Sequence, residues 1–275
     1  MDPQVKTNGD SYRNILKSTS LIGGASIINI MITMVRTKFV ALLIGPTGVG
    51  LLGTYSQIIS VVSTMSGMGL GSSGVRQIAE AVGTGDEERI AITVHTLRRT
   101  VWLTGSIGMM VMILFCIPIS RVTFNTDTYA LPIAFLGITI LLSAIASGQS
   151  CVLQGTRRIS DIARISVIGT IYGTLISIPC YYFWGLKGIV IALILNAIAS
   201  LITSWWFARR VQIMSIVLKW HVARVEARAL FALGLSFVGA SLITQLSYYV
   251  IRVFLIHRFG LNDVGIYQSA FGLSG

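Results

Sequence analysis

Residues 22–50 decide the fold of this chain, because they hold an apolar helix, two cations and a turn. They read IGGASIINIMITMVRTKFVALLIGPTGVG, so an uncharged run reaches Arg36 and Lys38 and then meets Gly45-Pro46. Glycine next to proline is typical of a turn that ends or breaks a helix. The stretch therefore predicts a membrane-sized helix, a sharp turn and a second helix.

The same pattern returns further along the chain when position 24 is aligned with position 239 without a gap. Eight of the 27 columns from Gly24 to Gly50 are then identical. The matching residues are Gly24, Ala25, Ser26, Ile28, Phe39, Gly45, Val49 and Gly50 with Gly239, Ala240, Ser241, Ile243, Phe254, Gly260, Val264 and Gly265. A repeat at one fixed offset indicates a duplicated architecture.

The composition is that of a membrane protein. The chain has 275 residues, of which 53% are hydrophobic and 11% charged, and its mean hydropathy is +0.78. A soluble domain carries about 25% charged residues. A net charge of +11 would suggest nucleic acid in a soluble protein. Here the basic residues lie between apolar stretches, as the positive-inside rule describes, so no nucleic-acid partner is expected.

Seven membrane spans and the start of an eighth are predicted, since a spanning helix needs about 20 mostly apolar residues. The predicted spans are 18–44, 49–70, 100–120, 129–153, 163–183, 189–207 and 230–251, with the eighth beginning near Val264. A polar loop from Arg76 to Arg99 joins spans two and three. Fifteen of the 21 Lys and Arg lie in the N-terminal lead and in the loops after spans two, four and six. This excess predicts a cytoplasmic N-terminus.

Six spans separate the two copies of the repeat, so span seven crosses the membrane in the same direction as span one. The copies are therefore predicted to be parallel repeats with the substrate path between them. We expect an all-α, polytopic membrane bundle with about seven to eight of about twelve spans, a truncated form of a longer protein. Its predicted parts are a cytoplasmic lead (1–17), a six-helix lobe (18–208), a basic linker (209–228) and the start of a second lobe (229–275).

Three cations near the membrane are candidate substrate-binding residues. Arg36 and Lys38 lie in span one, and Arg252 lies at the end of span seven, whereas every Asp and Glu falls outside the predicted spans. Facing cations on two lobes would form a basic cavity for a phosphate or diphosphate, which guanidinium binds bidentately. The alternative is that these side chains extend to the headgroups at the helix ends.

Neutral polar residues within the spans are a second group of candidates. Their amides could hydrogen-bond sugar hydroxyls or could instead join one helix to another. The candidates are Asn29, Gln57, Gln149 and Gln245. Asn196 and Tyr248 are further neutral polar residues within the spans. The three cysteines and three histidines lack metal-ligand spacing, and no catalytic set is evident, so neither a metal nor a cofactor is predicted.

Several short motifs resemble the Wzx-type flippases for lipid-linked oligosaccharides, a branch of the multidrug/oligosaccharidyl-lipid/polysaccharide exporter superfamily. They are residues 44–51 (IGPTGVGL), the glycine-rich end of span two, residues 153–158 (LQGTRR) and residues 264–268 (VGIYQ). The resemblance implies a two-lobed protein of the bacterial inner membrane, and no enzyme. Its implied substrate is undecaprenyl-diphosphate-linked O-antigen or enterobacterial common antigen, destined for polysaccharide and lipopolysaccharide biosynthesis. Arg36 is the position to which the resemblance assigns contact with the diphosphate.

The resemblance also implies partners: membrane lipids, a polysaccharide polymerase and a chain-length regulator. Two alternative functions stay open from the residues. A cation-coupled multidrug antiporter of the same superfamily would need a carboxylate in the membrane. A polyprenyl-phosphate sugar transferase or polymerase would need catalytic acidic residues in its loops, where residues 86–88 form the one acidic cluster.

Overall fold

The computed structural model describes residues 8–211, 213–214 and 220–274, and the regular structure in them is helical. The all-α prediction is therefore confirmed. The helices are α1 (Asn8–Gly67), α2 (Leu70–Thr84), α3 (Glu87–Leu114), α4 (Cys116–Phe124), α5 (Ala130–Gly155), α6 (Ile159–Trp184), α7 (Gly188–Ala208) and α8 (Trp220–Ser274), with a 3₁₀ turn at Gly185–Lys187.

The two longest helices are broken at glycines that correspond in the repeat. Gly45 interrupts α1 with φ 66° and ψ −179°, and Gly260 interrupts α8 with φ 85° and ψ 172°. Glycine adopts positive φ at little cost because it has no Cβ. The predicted turn at Gly45-Pro46 is thus confirmed as a one-residue break. It divides α1 into a first arm (8–44) and a second arm (46–67), and Gly260 divides α8 into a first arm (220–259) and a second arm (261–274).

The two copies of the repeat contact each other just after these breaks. A methyl group on Gly265 would overlap the carbonyl of Pro46, and one on Gly50 would overlap the carbonyl of Leu261. Pro46 aligns with Leu261 and Gly50 with Gly265 in the repeat, so the two contacts are related by exchange of the copies. This reciprocal contact is what a local pseudo-two-fold axis produces, and it supports the duplicated architecture.

Contacts between arms show in which direction each arm runs. Along the second arm of α1, Gly53 meets Arg252 and Gln57 meets Gln245, and just beyond this arm Gly69 meets Gly234. The positions rise on α1 while they fall on α8, so these two arms are antiparallel. The first arm of α1 instead runs parallel to α6, since Asn29 contacts Ser166 and Arg36 contacts Ser177. Both directions are those expected when successive spans alternate across a membrane.

Five stretches of the described residues are long and apolar enough to cross a membrane. They are Ile22–Gly67, Glu87–Leu114, Ala130–Gly155, Ile159–Ala208 and Val238–Ser269. The first and fourth have 46 and 50 residues, about twice the length of one crossing. Each of the two contains a pair of the predicted spans, joined through Gly45 in one and through the 3₁₀ turn in the other.

The polar loop predicted between spans two and three is wrong. Residues 76–99 belong to α2 and to the start of α3, and Gly85-Asp86 alone separates the two helices. The charged residues of this segment are exposed apart from the half-buried Arg98, whereas Ile78 and Leu97 are fully buried. Such amphipathic helices are too polar to be predicted as spans.

Other predicted boundaries also differ from the structure. Predicted span three (100–120) is broken at Phe115, between α3 and α4. Helix α1 begins within the predicted lead, and α8 begins within the predicted basic linker. Lys219 of that linker and Lys6 of the lead lie outside the described residues. These boundaries were placed where charged residues begin. They differ from the structure because a helix can continue past the end of its apolar residues.

The apolar core forms two clusters. One packs Tyr55 and Ile58 of α1 against Met112 of α3, Leu136 of α5 and Tyr181 of α6. The second lies at the end of the bundle that contains α2, and it includes Ile78, Leu97, Val152 and Leu230. Many large apolar side chains on the outside are exposed, as they are in a helix bundle that faces lipid.

A bidentate ion pair closes the turn between α4 and α5. Arg121 donates through Nε to Asp127 Oδ1 at 2.6 Å and through Nη2 to Oδ2 at 2.8 Å. These hydrogen bonds hold the pKa of the Asp127 carboxyl below its usual value. Both side chains are exposed, so the pair orders the turn and contributes little to stability.

The N-terminus of α3 is capped by Asp86, and this cap is testable. Its Oδ1 accepts from the backbone N–H of Glu88 at 2.9 Å and of Arg89 at 3.3 Å. We expect Asp86→Ala to destabilise the protein by about 1 kcal/mol, the usual contribution of a lost cap. Thermal unfolding in detergent measures it, and Asp86→Asn, which keeps the acceptor, serves as the control. Equal stability of Asp86→Ala and the parent would contradict the capping role.

Candidate functional site

The half-buried guanidinium of Arg36 lies where α1 contacts α6 and α7. Its Nη2 donates to Ser177 Oγ at 3.0 Å, and Asn196 Nδ2 donates to the same oxygen at 3.3 Å. A methyl group on Gly173 would come within 3.1 Å of Arg36 Nη1, so this glycine makes room for the cation. Tyr181 lies beside Ser177 and Arg36. We call Arg36, Gly173, Ser177, Tyr181 and Asn196 the Arg36 cluster.

The Arg36 cluster is polar, lies in an apolar setting and carries a net positive charge. The stretch Ile22–Gly67 that holds Arg36 contains no Asp or Glu. Asn196 Oδ1 is buried and has no hydrogen-bond partner among the described residues. Cations within membrane segments are costly and are usually paired or placed at substrate paths. The Arg36 guanidinium can therefore hold an anion, while the unpartnered Asn196 Oδ1, an acceptor, can meet a hydroxyl donor.

Asn29 extends the same interface by about two turns of α1. Its Nδ2 donates to Ser166 Oγ at 2.6 Å, and its Oδ1 accepts from Thr170 Oγ1 at 2.9 Å. The amide therefore joins α1 to α6, which is the interhelical role that the sequence left open beside sugar binding.

Arg252 lies in a second polar cluster, between the second arm of α1 and α8. It donates to Gln268 Oε1, while its Nη1 is buried without a hydrogen-bond partner in the described part of the chain. Gly53 leaves the space that this guanidinium occupies. Gln57 donates through Nε2 to the backbone carbonyl of Gln245 at 2.9 Å and to its side-chain oxygen at 3.0 Å. We call Gln57, Gln245, Arg252 and Gln268 the Arg252 cluster.

The structure therefore gives the predicted cations different surroundings. Arg36 contacts α6, Arg252 contacts the second arms of α1 and α8, and Lys38 is exposed. Gln149, on α5, accepts a hydrogen bond from Arg98 on α3 at 3.3 Å. Arg36 and Arg252 contact different helices here, and the basic cavity expected between them stays a prediction.

A cavity of about 470 Å³ lies between the second arm of α1 and helices α2, α3, α5 and α8. It is bordered by glycines and is rich in hydroxyl groups, and one of its borders is Gln245. Its volume falls in the range of about 300–1,000 Å³ that is common for ligand sites. The hydroxyls belong to Ser63, Thr64, Ser66, Ser72, Thr104, Ser143, Ser147 and Ser241.

Sequence reasoning missed Ser177, Tyr181 and this row of hydroxyls. Serine and threonine occur throughout membrane helices, where they commonly bond the carbonyl one turn back, as Thr64 does with Ser60. The one available signal was Gly67-x-Gly69-x-Gly71, which places the helix ends close together around the cavity.

Residues 15–275 match the model of a family described as polysaccharide biosynthesis protein. The chain belongs to this family. The match confirms the resemblance to flippases for lipid-linked oligosaccharides that its motifs show.

Curated relatives of this polysaccharide biosynthesis chain are distant in sequence. It is 20% identical over 262 residues to the Lipid III flippase of Escherichia coli (strain K12). This alignment covers 95% of the chain and 62% of that protein. It is 24% identical over 202 residues to the stage V sporulation protein B of Bacillus subtilis (strain 168). That alignment covers 69% of this chain and 38% of the sporulation protein. The chain thus spans less than two thirds of the length of each of these relatives.

Solved structures show the fold of this polysaccharide biosynthesis chain. An inward-facing multidrug resistance MATE family transporter of the MOP superfamily superposes with a TM-score of 0.71 at 14% identity, covering 89% of this chain and 60% of that one. The outward-facing conformation of a multidrug resistance MATE family transporter superposes with a TM-score of 0.67 at 16% identity. This superposition covers 94% of this chain and 60% of that one. The chain therefore shares the fold of these two structures over most of its length.

Proposed function

We propose that this chain forms part of a flippase for undecaprenyl-diphosphate-linked oligosaccharides. The substrate would be an O-antigen or enterobacterial common antigen repeat unit that moves from the cytoplasmic to the periplasmic leaflet of the bacterial inner membrane. Membership of the polysaccharide biosynthesis family and similarity to a Lipid III flippase support this proposal. The observation that carries it is the half-buried Arg36 guanidinium, which is hydrogen-bonded to α6 and lies on an apolar stretch of helix without a carboxylate.

A diphosphate is the part of such a substrate that most needs the protein. Its negative charge cannot enter hydrocarbon at an acceptable cost, while the polyprenyl tail stays in the bilayer. A guanidinium matches two phosphate oxygens with parallel hydrogen bonds. Arg36 donates to Ser177 through Nη2, which fixes the side chain and leaves other N–H groups to meet a phosphate.

The sugars would occupy the hydroxyl-rich cavity between the arms. Ser and Thr hydroxyls can both donate to and accept from sugar hydroxyls. Glycines at the cavity border allow a bulky, hydrated head group to approach the backbone. The described residues that line the cavity include no charged side chain, and its hydroxyls can meet neutral sugars.

The alternative functions have less support from the described residues. A cation-coupled antiporter needs a membrane carboxylate, but Glu87, Glu88, Asp161 and Asp263 lie near the ends of their apolar stretches. The acidic residues 86–88 at the start of α3 cap that helix and are exposed, which does not suit a catalytic role in a transferase. We therefore propose a carrier with its N-terminus in the cytoplasm, where the basic loops would lie.

Genetic complementation tests this function. The intact protein is produced in strains that each lack one flippase, either for O-antigen or for enterobacterial common antigen, and surface glycan is measured by antibody labelling of whole cells. We expect the protein to restore one of the two glycans and to relieve accumulation of its lipid-linked precursor. Restoration of neither glycan, in cells whose membranes contain the folded protein, would contradict the proposal.

The Arg252 cluster gives a separate prediction. We expect Arg252→Gln to lower glycan export about tenfold. The variant loses a guanidinium that joins the first arm of α8 to its second arm and that offers Nη1 to an anion. Arg258→Gln, which changes an exposed cation on the same helix, should export normally. Antibody labelling of surface glycan at matched protein levels measures both. Unaltered export by Arg252→Gln would remove this residue from the substrate path.

A further inference from the structure

A second cavity, of about 280 Å³, lies on the other side of α5 and has a basic and aromatic lining. It is bordered by His95, Arg98, Gln149, Trp205 and Arg209, together with Val211 and Ile213 just after α7. Gln149 faces this cavity, while its neighbours Ser147, Gly148 and Cys151 border the hydroxyl-rich cavity. The two cavities are therefore separated by α5.

Arg98 is the central group of this second cavity. It is half-buried and donates through Nη2 to Gln149 Oε1, and its Nε is buried without a hydrogen-bond partner among the described residues. The described residues that border the cavity include three basic side chains and no Asp or Glu. The carboxylate of Asp161 is held by Arg158 and Arg164 at 3.6 and 3.8 Å. A half-buried guanidinium without a carboxylate partner is free to bind an anion from outside the chain.

Arg209 and two tryptophans place the cavity at a membrane interface. The Cζ atom of Arg209 lies 5.2 Å from the ring centre of Trp205 and 4.5 Å from that of Trp206, within the range of cation–π contact. About half of each tryptophan is exposed. Tryptophan is enriched where membrane helices cross the headgroup region. The end of α7 therefore presents a cation to the depth at which lipid phosphates lie.

We propose that this cavity binds the phosphodiester of an anionic glycerophospholipid headgroup. Arg98 and Arg209 would each donate to a phosphate oxygen, and His95 and Gln149 would meet the glycerol hydroxyls. The cavity holds about nine water volumes at about 30 Å³ each, enough for a phosphate with a glycerol. Bound lipid would join α3, α5 and the segment after α7, where Arg158 already donates to the carbonyl of Arg210 at 3.2 Å.

Native mass spectrometry of the purified, intact protein tests the site. Short-chain phosphatidylglycerol is titrated against short-chain phosphatidylcholine, and inorganic phosphate is added as a competitor. We expect phosphatidylglycerol to bind at least tenfold more tightly than phosphatidylcholine. Arg98→Gln and Arg209→Gln should each weaken phosphatidylglycerol binding at least fivefold. The matched control Arg99→Gln changes an exposed cation next to Arg98 that does not border the cavity, and it should weaken binding less than twofold.

Three results would overturn the proposal. Equal affinity for the two lipids would show that the headgroup charge is not recognised. An equal loss in Arg99→Gln would show that binding follows surface charge in general. Displacement of the lipid by inorganic phosphate at a similar concentration would make a free anion the occupant. Arg209 is exposed, so Arg209→Gln keeps the test valid even if Arg98→Gln does not fold.

Discussion

Replacing Arg36 by alanine is expected to reduce export of the lipid-linked glycan about a hundredfold. The variant would lose two charge-assisted hydrogen bonds to the diphosphate, together about 3 kcal/mol, and each 1.4 kcal/mol corresponds to a factor of ten. It would also leave Ser177 and Asn196 to satisfy each other. Surface glycan and accumulated lipid-linked precursor, measured at matched protein levels, report the loss.

Two further variants separate charge from helix packing at this site. Arg36→Lys keeps the charge but not the two parallel hydrogen bonds, and we expect it to retain part of the export. Lys38→Ala removes an exposed cation two residues further on and should export nearly normally. Full export by Arg36→Ala, or an equal loss in Lys38→Ala, would contradict a specific role for the Arg36 cluster.

Replacing Gly265 by leucine is expected to prevent the two copies of the repeat from packing. A Cβ at this position would overlap the carbonyl of Pro46, which is backbone and cannot rotate away. Overpacking costs about 1–3 kcal/mol where side chains can adjust, and here the helices themselves must separate. We expect most of the protein to aggregate during size-exclusion chromatography in detergent, and any folded fraction to unfold at a lower temperature.

The repeat itself supplies the controls for this prediction. Gly50→Leu should have the same effect, because Gly50 makes the equivalent contact with the carbonyl of Leu261. Gly24→Leu is the matched control, since Gly24 is an exposed helix residue with open space at its Cβ. Leucine has the higher helix propensity, so Gly24→Leu should be neutral or slightly stabilising. Normal folding of Gly265→Leu would refute the pseudo-two-fold contact.

Much of the fold could be predicted because two signals are local. Apolar length marks membrane helices, and the aligned glycines at 45 and 260 mark the breaks in the two long helices. The polar segment from Arg76 to Arg99 was mispredicted because α2 and the start of α3 bury only one side. Ile78 and Leu97 show that side, but charged residues on the other side dominated the average.

The sites were less predictable, because they depend on the register between distant helices. Arg36 stood out as a cation in an apolar span, but its partner Ser177 lies 141 positions away and resembles many other serines. Gln149 was identified as a polar residue in a span, yet its partner Arg98 had been assigned to a loop. The sequence pattern allows an estimate of the side of a helix on which a residue lies. Only the structure shows which other helix that residue contacts.

The most direct test is translocation by the purified, intact protein in liposomes. A fluorescent polyprenyl-diphosphate oligosaccharide is placed in both leaflets, and an impermeant quencher then destroys the outer fluorescence. We expect liposomes with the protein to lose nearly all fluorescence, while liposomes without protein or with Arg36→Ala lose about half. Equal fluorescence loss with and without the protein, or full translocation by Arg36→Ala, would contradict it.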